Sequence, residues 1–491
     1  MFAFDNTYAR ELQGFYAACL PTAAPQPRLL RLNRALAQEL GLRLDGLGEE
    51  RLAAVFSGNE LPEGAASLAQ AYAGHQFGGF SPQLGDGRAL LLGEVIDRHG
   101  RRRDIAFKGS GQTPFSRRGD GKAAVGPVLR EYIVGEAMHA MGIPTTRALA
   151  AVATGERVIR ERVLPGAVLT RVAASHLRVG TFEYFAARGD HDRVRQLADY
   201  SIARHYPELT GQPSRYLDLL RAVAERQAAL VAQWMLAGFI HGVMNTDNMA
   251  ISGETIDYGP CAFMEAFNPR AVFSSIDQGS RYAYGNQPAI AQWNLSRLAE
   301  TLLTCLDPEA PDRAIPAATD VLETFPFRYQ THWLAGARTK LGIGPSGDED
   351  ADFALANDWL ALLFAQSVDH TLAWRRLADA AEGHTVPLSA LFTDAAALAG
   401  WLDRWSERCA TEPTAPSGRA QAMRLVNPIY IPRNHIVEDA LTAASDDGDL
   451  DAFDRLVEVL THPFEERPGL EPYATPAPPA VTANYRTFCG T

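Results

Sequence analysis

The stretch HGVMNTDNMAISGETIDYG, residues 241–259, makes the strongest demand on any fold this chain can adopt. It crowds Asp247, Asn248 and Asp257 into one short polar segment. Directly before it, Leu220, Val223, Leu230, Val231, Trp234 and Met235 recur at helical spacing, so a buried helix over 216–239 delivers the segment. Its middle reads as a tight β-hairpin, with 249–251 and 255–256 as strands and Ser252, Gly253 and Glu254 as the turn. Such a hairpin sets Asn248 beside Asp257. One amide oxygen and one carboxylate suit a hard cation such as Mg²⁺. Asp247 stands next to that pair with no obvious structural task.

Composition narrows what this segment serves. Forty-six Lys and Arg against 58 Asp and Glu leave a net charge of −12, which argues against coating a nucleic acid. No apolar run is long enough to span a bilayer, so no membrane partner is expected. The first residues lack a basic stretch followed by an apolar core, the mark of a secretory signal. Five cysteines (Cys19, Cys261, Cys305, Cys409, Cys489) lie far apart with no CxxC pair. That spacing argues against a zinc site or a disulfide framework and points to a reducing, cytoplasmic setting.

In chain order, residues 1–60 read as mostly helical, with the 31–40 pattern stopping at Gly41. From Ala71 the sequence becomes AYAGHQFGGFSPQLGDGRALLLGEV, dense in glycine. Here Gly85, Asp86, Gly87 and Arg88 feed directly into an apolar strand, a layout that can aim backbone N–H groups at phosphate oxygens. A hairpin follows, with strands at 90–96 and 105–108 around the polar turn 97–104. Lys108 ends its second strand just before Gly109, so its ammonium projects beneath the glycine loops. The segment SRRGDGK (116–122) adds Asp120 and Gly121 in a turn flanked by basic residues, which can wrap an anion. A helix from about Pro127 to Gly142 buries Leu129, Ile133 and Ala137. Glu131 and Glu136 lie off that stripe, and spacing alone leaves them equally placed to pair with Lys108. Strands at 147–153 and 167–172, with a turn at Thr154 and Gly155, lead to Arg171 and Arg178, whose guanidinium forks match phosphate. Beyond about 290 the pattern is mainly helical. The acidic run 445–451 has its glycine misplaced for a calcium loop, and from Pro468 the tail reads as extended.

Glycine turn, strand lysine, helix glutamate, loop asparagine and Asp-Tyr-Gly follow one another as the parts of a protein kinase do. The chain resembles that plan, which implies an α+β bilobal fold: an N-lobe of mainly antiparallel sheet and a helical C-lobe, with N- and C-terminal helical extensions. The corresponding boundaries are 1–60, 61–180, 181–400 and 401–491. In a kinase, His-Arg-Asp is followed by Asn five residues after the Asp, then by Asp-Phe-Gly. Here His241, Gly242 and Val243 fill the first slot, Asn248 the second, and Asp257, Tyr258 and Gly259 the last. Valine accepts no proton. Asp247 is the only nearby replacement for the missing base.

Long runs sharpen the resemblance: AYAGHQFGGFSPQLGDGR, AFKGSGQTPFSRRGDGKA, LREY, GEAMHAMGIPTTRAL, HGVMNTDNM and DYGPCAFME. With these the chain resembles the selenoprotein O family of pseudokinase-like protein adenylyltransferases over nearly its whole length. The resemblance implies ATP bound in an orientation flipped relative to kinases, so that AMP passes to Ser, Thr or Tyr hydroxyls of protein substrates. It assigns Gly85, Gly87, Arg88, Lys108, Asp120, Gly121, Arg171, Arg178 and Asp257 to the nucleotide. It gives Asn248 and Asp257 to Mg²⁺ or Mn²⁺, Asp247 the role of proton acceptor, and Glu131 that of partner to Lys108. Cys489 stands where many eukaryotic relatives carry selenocysteine, which makes it a redox candidate, and Cys261 is the cysteine whose oxidation would disturb the site. The rival readings are a kinase-like phosphotransferase, a non-catalytic nucleotide-binding pseudokinase, and a uridylyltransferase using UTP with Mn²⁺.

Overall fold

The computed structural model describes residues 1–488; Cys489 lies outside the described residues. Largely apolar segments, buried on both faces over much of their length, build two long antiparallel hairpins. The first joins β6 (Ala89–Ile96) to β7 (Arg102–Lys108), with Ala89 opposite Lys108 and Leu90 opposite Phe107. The second joins β9 (Arg147–Ile159) to β10 (Val163–Ala173), and β10 lies against β7 with Arg171 opposite Ala106. With β1 (Tyr16–Ala18), β2 (Arg28–Leu32) and β3 (Leu68–Gln70) they form a sheet in the order β1-β3-β6-β7-β10-β9-β2, and the short β8 (Ala123–Ala124) pairs with β10. A separate ribbon pairs β4 (Gly74–Gln76) with β5 (Gly79–Ser81).

Three expectations change. The first sixty residues hold helices Thr7–Glu11, Arg34–Glu39 and Glu49–Ser57, but they also supply β1 and β2, the two edges of the sheet. The helical spacing at 31–40 takes hold only after Asn33, whose side chain caps the helix by accepting from the Leu36 N–H at 3.0 Å. Thr154 and Gly155 do not end a strand. Gly155, at φ +78°, bends β9 while pairing with β10 continues out to Ile159 and Val163. Finally, the arms 249–251 and 255–256 do not pair with each other, and the segment keeps only a backbone turn bond from the Gly253 N–H to Ala250. Their strand-like backbone finds partners elsewhere: Met249 accepts from the Val179 N–H and Ile251 donates to Leu177, whereas Thr255 donates to Pro144 and accepts from Thr146. Both arms are pulled outward, and Gly253 turns at φ +78° against Arg226.

The helix Val125–Ala140 packs Tyr132, Ile133 and Ala137 against Ala148, Ala151 and Leu169 of the sheet. Helices Asn434–Thr442 and Asp451–Leu460 return from the far end of the chain to cover it, with Phe453 edge-on to Tyr132. Arg34–Glu39 and Glu49–Ser57 join a second core with Leu92, Ile105, Phe107 and Val168. From Val179 onward the chain is mainly helical, gathered around Arg215–Ala237, Gln287–Leu306 and Phe325–Leu341 in the largest core. The architecture is α+β, an antiparallel sheet with many helices. No helix among the described residues is long and apolar enough to cross a membrane.

Candidate active site

A cavity of about 1430 Å³ collects every nucleotide, metal and proton-accepting candidate named above within residues 1–488, together with Glu131. Its charged centre comes from three elements. Lys108, at the end of β7, donates to Glu131 at 2.5 Å and to Asp257 Oδ1 at 2.6 Å. Arg171, on the neighbouring strand, donates to Asp257 Oδ1 at 2.9 Å and to Glu131 at 3.3 Å. Positions 131 and 136 are five residues apart and so project about 140° apart around their helix. Glu136 instead holds Arg147 at 2.6 and 2.8 Å and accepts from Asn33 at 2.8 Å.

Burial works against ionisation of Asp257, but Lys108, Arg171 and Arg178 outweigh it and hold the carboxyl well below its usual range. Asp257 sits at φ +66°, a left-handed backbone that a non-glycine residue rarely adopts outside over-determined sites. Both cations meet it at Oδ1, and among the described residues Oδ2 takes no hydrogen bond. Asn248 donates its amide nitrogen to the Val243 carbonyl at 3.0 Å, which turns its oxygen away from that contact. No group of three or more His, Cys, Asp or Glu able to hold a metal exists among the described residues. An amide oxygen and one carboxylate fit Mg²⁺, an ion commonly held by one or two protein groups plus phosphate and water.

Asp247 lies in the one-turn helix Thr246–Asn248 and is 8% exposed. Its Oδ2 accepts from Gln76 Nε2 at 3.3 Å, while Oδ1 is buried without a hydrogen-bond partner. Burial pushes this carboxyl up to about 7, with Arg178 pulling the other way. Arg178 is packed over the Tyr72 ring at 4.4 Å and donates to the backbone oxygens of His176 at 3.1 Å and Asp247 at 3.2 Å. Its remaining nitrogen, Nη2, has no hydrogen bond, so a buried cation keeps a donor in reserve.

The loops over the cavity interlock at two glycines. A Cβ on Gly85 (φ +66°) would lie 2.3 Å from the Phe115 ring, and one on Gly121 (φ +69°) 2.1 Å from the Gly111 oxygen. Arg88 and Gly87 line the same wall. Asp120 also faces the cavity, but its oxygens are engaged by Arg160 at 2.8 and 3.0 Å and by the Lys122 N–H at 2.9 Å. Cys261 is buried, and burial pushes its thiol up to about 11, so it is protonated and unreactive.

Several contributors were not singled out from the sequence. His176 accepts from Arg171 Nε at 3.2 Å through Nε2, while its Nδ1 lies 3.0 Å from Asp104. His75 and Thr246 both meet the carboxylate of Glu183. Gly74 is so close that a Cβ would come within 2.6 Å of Asp247 Oδ1. The density of glycine and aromatic residues at 72–80 was the available signal. The tail gives no such signal, yet Tyr485, Arg486 and Phe488 line the cavity. Tyr485 is held there by Glu438 at 2.8 Å and Arg130 at 3.0 Å.

The family model described as "Protein adenylyltransferase SelO" matches residues 1–461. The chain is 64% identical over 476 residues to the protein nucleotidyltransferase YdiU of Chromobacterium violaceum, covering 97% of this chain and 99% of that protein. It is 64% identical over 493 residues to a protein of the same name from Cereibacter sphaeroides, covering all of both. The like-named protein of Rhizobium meliloti is 59% identical over 492 residues, all of this chain and 99% of the relative. With a match spanning nearly its full length, the chain belongs to the SelO family of protein adenylyltransferases.

Proposed function

We propose that the chain follows the bilobal plan of a protein kinase and uses its cavity to transfer AMP from ATP to a Ser, Thr or Tyr hydroxyl of a protein substrate. The observation that carries this reading is the exchange at the base position. Val243, apolar and buried, stands in the kinase slot, while Asp247 holds a buried carboxylate oxygen with no partner at the cavity wall. Lys108, Arg171, Arg178 and Arg88 supply positive charge for the phosphates, and the nucleotide lies turned relative to its kinase pose so that the α-phosphorus faces Asp247. Asn248 and Asp257 would hold Mg²⁺ or Mn²⁺, which when bound neutralises phosphate charge as a Lewis acid.

The Asp247 carboxylate accepts the hydroxyl proton as the substrate oxygen bonds to the α-phosphorus. The bond from the α-phosphorus to the bridging oxygen breaks, and pyrophosphate leaves against Lys108, Arg171 and Arg178. The part-buried ion pairs of Lys108 and Arg171 keep these cations fixed before the nucleotide arrives, so little reorganisation accompanies charge development.

Separate incubations with α-labelled and γ-labelled ATP test the reading. Label should reach protein only from the α position, and label arriving only from γ would make the chain a phosphotransferase. Asp247→Ala should lower transfer by about 10²–10⁴ while ATP binding, followed by calorimetry, stays intact. The names of the relatives specify a nucleotidyl group without the nucleoside, so α-labelled UTP with Mn²⁺ belongs in the same series.

A further inference from the structure

The ribbon of β4 and β5 stands apart from the main sheet and is bonded to the turn that carries Asp247. Three consecutive residues make the attachment. The His75 N–H donates to Thr246 Oγ1 at 2.7 Å, Gln76 Nε2 to Asp247 Oδ2 at 3.3 Å, and the Phe77 N–H to Asn245 Oδ1 at 3.1 Å. Tyr282 braces the same point, donating to Asn245 at 2.6 Å. A tip anchored this firmly nonetheless leaves Phe77 40% and Phe80 41% exposed. One edge of each ring is supported, Phe77 by Tyr282 at 5.2 Å between centroids and Phe80 by His75 at 4.9 Å.

The core does not account for these rings. Phe77 adopts φ +53°, a left-handed backbone that is costly for a bulky residue, and it does so to present an aromatic face to solvent. Ile276, 47% exposed, lines the same cavity as Gln76, Phe77 and Asp247. A polypeptide that brings a hydroxyl to the Asp247 carboxylate carries its flanking residues past this apolar lip. Extended chain advances about 3.3 Å per residue, so side chains one or two positions from the hydroxyl fall within reach of it.

We propose that Phe77 and Ile276, which line the cavity beside Asp247, form the docking surface for the acceptor polypeptide. They select a segment with an apolar side chain within two residues of the modified hydroxyl. The proposal rests on the AMP-transfer reading above and adds the class of acceptor sequence to it.

The test uses the full chain and synthetic peptides centred on Ser, Thr or Tyr, in pairs that differ only in carrying Leu or Gly two positions on either side. AMP incorporation from α-labelled ATP is the readout. The wild-type KM should be about tenfold lower for Leu-flanked peptides, the worth of one partly buried aliphatic side chain. The double variant Phe77→Ser/Ile276→Ser should lose that difference while a non-hydrolysable ATP analogue binds with wild-type affinity. Equal KM values in the wild type, a preference that survives in the variant, or labelling of folded protein with no peptide modified would each overturn the docking surface. Absence of α-label on every acceptor would sink the transfer reading and the docking surface with it.

Discussion

At Asp247 a carboxylate is kept in a place where ionisation is costly, and only its surroundings give that cost a use. One oxygen is held by Gln76, the other is buried without a hydrogen-bond partner, and the backbone of Gly74 is pressed against it. Gly74→Ala would bring a Cβ within 2.6 Å of Oδ1, so the carboxylate must move. A displacement of this order costs about 10² in rate at a positioned catalytic group. We expect that loss in AMP transfer with analogue binding unchanged, measured by labelled transfer and calorimetry. Val243, Asp247, Asn248 and Asp257 could be read from sequence because their spacing is local. Gln76 and His176 could not, since Gln76 acts on Asp247 far along the chain and His176 is oriented by Asp104 on β7.

Among the elements, the β6–β7 hairpin was legible because two apolar runs flank a polar turn, and the 215–237 helix because a period of 3.6 repeats over many residues. Residues 249–256 were misleading for a physical reason: strand-forming side chains do not specify which backbone they pair with. Leu177, Val179, Pro144 and Thr146 took the hydrogen bonds that a local hairpin would have used. The helix carrying Glu131 depends on distant elements as well, since Phe453 is fully buried in the core it shares with Tyr132. Phe453→Ala should destabilise the chain by about 3–5 kcal/mol in denaturant unfolding. Hydrogen exchange should quicken along 125–140, which would show that the C-terminal helices support the Lys108–Glu131 pair.

Across the whole molecule, a chain of buried charges ties the first residues to the site. Thr7 and the Tyr8 N–H donate to Glu94, Arg204 bridges Glu94 and Asp104 at 2.5 and 2.6 Å, and Asp104 meets His176, which holds Arg171. His205 lies at the rim of this network, facing Arg204, Arg226, Asp104 and the Ser175 hydroxyl at 2.7 Å. Burial, with help from the two arginines, pushes its imidazole down to about 3. The unfolded chain takes up that proton near pH 6.5 and the folded chain does not, so this contribution is complete above about pH 6.5 and is lost as pH falls toward 3. His205→Gln removes the slope. The stability of the wild type relative to this variant should fall by about 2 kcal/mol between about pH 7 and 5, measured by denaturant unfolding at each pH. A constant difference would show that His205 titrates in the fold as it does in the unfolded chain.

By itself the sequence determined the repeating elements and the order of chemical parts along the chain, because hydrophobic periodicity and motif spacing are local properties. Residue spacing left Glu131 and Glu136 open, the family resemblance pointed to Glu131, and the fold sets Glu131 on Lys108; tertiary structure alone decided that the arms of 249–256 pair outward and that the 74–81 ribbon and the C-terminal tail border the cavity. Each of those outcomes is a choice among partners far apart in the chain. Such a choice is set by which buried polar groups can be satisfied together, and no local pattern encodes it.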